Sequence, residues 1–90
     1  MLSNAAPAIT AKDVLEKMTD KERFGYVTGL VDMLSYQSLL GGDRKRAECI
    51  SDAFYKEDTV TKKIFEAFSR FPGKSPEGIV ILLFRQSCGG

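Results

Sequence analysis

The sequence predicts an all-α protein, a compact bundle of about five helices with one disulfide. Three observations carry this reading. Apolar residues recur at helical spacing along most of the chain, and residues suited to N-capping stand ahead of the apolar stretches. Glycine and proline cluster in only two places, "LLGGD" (39–43) and "FPGKSPEG" (71–78), which read as turns between helices. With 90 residues the chain makes one domain. Residues 1–9 read as a disordered N-terminus or the remnant of an export signal, and 10–90 as a single helical domain.

The first helix starts near Thr10 and runs through "AKDVLEKM", with Val14, Leu15 and Met18 on one face. Thr19 opens the second, because "TDKE" sets Glu22 three residues on, the spacing at which two side chains cap each other's backbone. That helix continues to about Leu40, roughly 30 Å at 1.5 Å per residue. It stops at Gly41-Gly42, the first glycine being expected in the left-handed cap. Phe24, Val27, Val31 and Leu34 are its core stripe. Asp43 caps a third helix, "RKRAECISDAFYK", which turns Ala47, Ile50, Ala53 and Phe54 to one side. Asp58 or Thr59 begins a fourth, carrying Val60, Ile64, Phe68 and Phe71. Ser75 caps the fifth, with Pro76 in the first position, where its missing N–H does no harm. Ile79 to Cys88 is expected to be the most buried helix. "GIVILLF" also suits a strand, but no partner strand is visible elsewhere, so helix is preferred.

Gly25 and Gly29 interrupt the second helix, each costing roughly 1 kcal/mol relative to alanine. They share one line with Asp32 and Tyr36. The expected use is close packing of the apolar C-terminal helix on their bare backbone; a dimer seam or a groove for a partner are the other uses. On the packing reading, Gly29→Leu costs well over about 2 kcal/mol through overpacking.

The net charge is +1 and the chain has no histidine or tryptophan. So small a charge argues against nucleic acid as a partner, even with Lys62 and Lys63 adjacent. The missing histidine removes the usual proton shuttle and the commonest metal ligand. "IVILLF" (79–84), the longest apolar run, is far short of the roughly 20 residues that span a bilayer. Cys49 and Cys88 cannot complete a structural zinc site and form no C-x-x-C motif. They are two free buried thiols or one disulfide. A bridge would close a loop of about 40 residues, worth about 4 kcal/mol, and would suit an oxidising compartment. With no phosphate-cradling loop and no nucleophile motif, the expectation is no enzyme, no metal and no cofactor. "SNAAPA" looks like the residue of a signal cleavage, which suggests a mature exported chain; a plain cytosolic N-terminus is the alternative. Candidate partner-binding residues are Tyr36, Gln37, Arg44, Lys45 and Arg46, around the glycine turn.

The order of "GYVTGLVDML", a cysteine in the next helix, "VTKKIFEAFSRFP" and an apolar helix ending in a second cysteine resembles the small periplasmic immunity proteins of the Rap/Tai type. These protect bacteria from cell-wall amidases delivered by type VI secretion. The likeness spans Val14 to Cys88 and is sharpest at Gly25, Tyr26, Gly29 and Asp32. It implies an all-helical fold, a disulfide through Cys88, periplasmic residence and, in many members, a homodimer. It also implies inhibition by a surface loop inserted into the target's cleft, for which the counterpart here is the turn from Ser35 to Arg46. A more distant likeness is to periplasmic acid-stress chaperones. Such a protein would respond to carboxylates protonating near pH 4, with Phe65, Phe68 and Phe71 as client surface rather than plain core. A cytosolic helical regulator with reduced cysteines is the third reading.

Overall fold

Local capping sets where the helices begin. In the computed structural model, which describes residues 8–89, they are α1 (Ala11–Lys17), α2 (Asp20–Leu40), α3 (Arg44–Lys56), α4 (Asp58–Arg70) and α5 (Pro76–Cys88), with no strand among the described residues. Thr10, Thr19, Asp43 and Ser75 each accept a hydrogen bond from the backbone N–H three residues on. Thr10 with Asp13 and Thr19 with Glu22 form reciprocal capping boxes. α4 begins after Glu57 without a side-chain cap. "GIVILLF" is helical. The left-handed residue after α2 is Gly42, at φ +87°, and not Gly41, whose φ is −79°. Most of the reading of residues 1–9 lies outside the described residues; Ala8 and Ile9 are exposed and non-helical.

Each helix contributes to one core, built on Val14, Val27 and Val31, Ile50 and Phe54, Ile64 and Phe68, and Val80 and Phe84. Two predicted core residues are corrected. Phe24 is 53 % exposed and lies against the Phe54 ring, their centroids 6.1 Å apart. Phe71 is 48 % exposed, because it caps the end of α4, where the helical period no longer directs its side chain inward.

α1 is tied down at both ends. The N–H groups of Ala11 and Lys12 donate to the carbonyls of Lys74 and Pro72, both at 2.9 Å. At its other end the Arg23 guanidinium donates to the carbonyls of Val14, Leu15 and Met18 at 2.8–3.2 Å, and to Asp20 at 2.7 Å. Residues that a helix terminus leaves unpaired are thus satisfied by other elements.

α2 packs on α3 along one flank, where Ser35 Oγ donates to the Ala47 carbonyl at 2.9 Å and the Tyr55 hydroxyl to Asp32 at 2.7 Å. Its other flank borders α5 across a groove lined by Leu30, Met33, Leu34, Gln37, Glu77 and Ile81. Between these flanks lies the outer side, and that is where Gly25 and Gly29 sit. A Cβ at either would meet no atom within 4 Å, so the expected close packing of α5 on the glycines is corrected. The reason is helical phase: two residues turn a helix by about 200°, which puts Gly25 and Gly29 opposite the inward-facing Val27 and Val31. α5 instead turns Ile79, Val80 and Phe84 into the core. The overpacking expected of Gly29→Leu falls with it.

Cys49 of α3 and Cys88 at the end of α5 form a disulfide, with their Cα atoms 5.8 Å apart. No free cysteine remains among the described residues.

Candidate protein-binding corner

The turn from α2 to α3 is held by its own backbone. The N–H groups of Gly41, Gly42 and Asp43 donate to the carbonyls of Gln37, Leu39 and Ser38 at 2.9–3.0 Å. Asp43 Oδ1 then accepts from the Arg46 N–H at 2.9 Å and starts α3. Gly42 takes a conformation in which a Cβ would be strained. On this fixed corner Leu39 and Leu40 are 45 % and 69 % exposed. Arg44 and Lys45, just past the turn, are exposed as well. A shallow depression of about 320 Å³ beside them is lined by Ser35, Leu39, Arg44, Ala47, Glu48 and Ser51. The corner thus offers an apolar tip flanked by two cations.

The five residues expected to form one binding surface are split. Arg44 and Lys45 stand on the corner. Tyr36 is exposed on the outer side of α2, and Gln37 lines the groove toward α5. Arg46 is turned inward: its guanidinium donates to the Gly89 carbonyl at 2.8 Å and to Ser38 Oγ. It therefore joins the ends of α2, α3 and α5, a structural latch. Leu39 and Leu40 were not singled out from the sequence. The signal was present, since both are out of phase with Val27, Val31, Leu34 and the buried Ser38.

Asp32 is held by Tyr55, whose phenol pKa is raised, first by that hydrogen bond, then by burial and by the carboxylate's charge. Tyr26 is also pushed up, by burial and then by Glu77 across the α2–α5 groove. Both phenols are neutral at pH 7.

A second apolar surface is an open cleft of about 380 Å³ between the α4–α5 turn and α5, lined by Phe71, Lys74, Ser75, Gly78, Ile79 and Leu82. Of the phenylalanines considered as client surface, Phe68 is buried and Phe65 half-buried edge-on to it; only Phe71 is exposed. Among the described residues no three His, Cys, Asp or Glu side chains converge on a metal position, and no helix is long and apolar enough to cross a membrane. Comparison with protein-family models, with curated proteins and with solved structures finds no match to this chain.

Proposed function

We propose that this chain is a non-catalytic protein-binding domain of the immunity type, periplasmic or secreted, whose α2–α3 corner enters a cleft on a cell-wall hydrolase and occupies it. The observation that carries this is the corner itself, with Leu40 69 % exposed beside Arg44 and Lys45. Burying such a leucine is worth roughly 1.5–3 kcal/mol. The two cations suit a cleft lined by carboxylates, and mainly raise the rate and selectivity of encounter. Because the turn is already fixed by its backbone hydrogen bonds, little ordering cost opposes binding. The disulfide supports an oxidising compartment.

The test is peptidoglycan hydrolysis by secreted amidases with and without the purified, oxidised protein. Stoichiometric inhibition by the wild type is expected, with affinity falling at least about tenfold, or 1.4 kcal/mol, in the Arg44→Glu, Lys45→Glu variant. Inhibition unchanged by that charge reversal would move the contact elsewhere, and no inhibition of any amidase would end the reading.

The Phe71–Leu82 cleft favours a second reading, an acid-activated holdase. That protein would bind an apolar dye and suppress client aggregation near pH 3, and not at pH 7. Free thiols in protein taken from its native cell would instead favour the cytosolic regulator.

A further inference from the structure

The end of α5 is joined to α3 twice, once covalently and once through Arg46, and both ties lead to the α2–α3 turn. Cys88 is bonded to Cys49, and the carbonyl of the next residue, Gly89, accepts from Arg46 Nε at 2.8 Å. Another nitrogen of the same guanidinium donates to Ser38 Oγ. Ser38 is buried, and its carbonyl accepts at 2.9 Å from the Asp43 N–H that closes the turn. Arg46 meets the turn again through its own N–H, on Asp43 Oδ1. A continuous path therefore runs from the disulfide through Gly89, Arg46 and Ser38 to the corner that carries Leu39, Leu40, Arg44 and Lys45.

Two features make this path depend on the disulfide. The half-buried Arg46 guanidinium has no carboxylate within 4 Å among the described residues, whose ion pairs are Lys17–Asp13, Arg23–Asp20 and Lys56–Asp52. The Gly89 carbonyl and the Ser38 hydroxyl are its acceptors, and hydrogen bonds from a charged donor are the stronger kind. The end of α5, in turn, is weakly held by anything else. Phe84 is its last buried side chain, and the Ser87 hydroxyl and Gly89 N–H donate back into α5, to Leu83 and Arg85. Helix ends of this kind fray. With the sulfur bridge open, the last turn can unwind and withdraw the Gly89 carbonyl from Arg46.

We propose that the Cys49–Cys88 pair is a redox gate on the corner, with Arg46 transmitting its state. The step is a two-electron exchange with a dithiol. The dithiol supplies two electrons and two protons, the S–S bond breaks to two thiols, and the reductant leaves as its own disulfide. In the oxidised chain Gly89 is fixed, Arg46 spans from it to Ser38, and the turn is set in advance. In the reduced chain the end of α5 frays, Arg46 turns to water and the turn loosens, while the core keeps its packing. The corner then loses the preorganisation that favours binding. A chain that has not met an oxidant carries the corner in its loose form. That consequence rests on the corner being the binding site; the gate itself does not.

Amide exchange at pH 7 reads the gate with no partner present. The Gly41, Gly42 and Asp43 N–H groups report the turn, and those of Val31 and Ile50 the core. Dithiothreitol is expected to speed exchange in the turn at least about tenfold, the scale of one lost hydrogen bond to a charged group, with core protection retained. Arg46→Ala, kept oxidised, is expected to do the same. Reducing Arg46→Ala should then add nothing in the turn, because the path is already cut, whereas independent effects would multiply. Turn protection unchanged by reduction, or effects that multiply, would overturn the proposal. So would loss of the Val31 and Ile50 amides together with the turn, which would make the disulfide a plain staple. Hydrolase inhibition is measured apart, so a gate seen beside no inhibition would end the immunity reading and leave the gate standing.

Discussion

Gly25 and Gly29 sit in regular helix with open space where a side chain would be. A glycine there gives the unfolded chain freedom that folding must remove and provides no contact in return. Gly25→Ala is therefore expected to stabilise the monomer by about 0.4–1 kcal/mol, seen as a higher urea midpoint at constant slope. A lower midpoint would mean that something packs on this face within the monomer. Two other glycines are held by conformation or space. Gly42 has φ +87°, and at Gly78 a Cβ would stand 2.7 Å from Ser75 Oγ, the atom that caps α5. The four positions look alike in composition, and only backbone angle and surroundings separate them.

At the scale of elements, α1 is the one most dependent on its neighbours. Seven residues are too few for a helix to persist alone in water. It is held by its capping box, by the carbonyls of Pro72 and Lys74, and by Arg23 across its C-terminal carbonyls. Removing a charged donor from such carbonyls costs roughly 1.5–3 kcal/mol, so Arg23→Ala is expected to destabilise by about 2 kcal/mol. Amide exchange should show protection lost first in α1, with α3 and α5 retained; uniform loss across all helices would contradict this role. Arg23→Lys is expected to restore little, because an ammonium lacks the planar fork that reaches several carbonyls. The cap at the other end is acid-sensitive. The Thr10 N–H, and then Lys17, hold the Asp13 carboxyl below its ordinary value of 3.8. The stability this adds is present above that value and lost as pH falls through the depressed one, so acid is expected to weaken the N-terminal cap of α1.

The whole molecule is small enough that its cross-link matters. A chain of this size buries only about 60–65 % of the surface it exposes when unfolded. The Cys49–Cys88 bridge spans 39 residues of sequence and joins α3 to the end of α5. In the chain-entropy account that closure contributes about 4 kcal/mol, a large part of the total for a domain this small. Reduction, or Cys88→Ser, is expected to lower the urea midpoint by a corresponding amount; an unchanged midpoint under reductant would show that the core suffices. Arg46 supplies a second, non-covalent latch at the same end through the Gly89 carbonyl. Of the residues taken for a binding surface, it is the one that the tertiary structure assigns to holding the molecule together.

What the sequence by itself determined is local. Helix starts at Thr10, Thr19, Asp43 and Ser75 depend on side chains within three residues of the backbone they cap, and the Val27–Val31 and Ile64–Phe68 spacings depend only on helical period. The tertiary structure decided what depends on direction. Which side of α2 meets the core, where Arg23 and Arg46 reach, and that Phe24 stays half outside against Phe54 follow from how the helices lie on one another. A periodic pattern shows that a helix has an apolar face. It does not show, for a helix apolar on two sides such as α2, which side its own chain will cover.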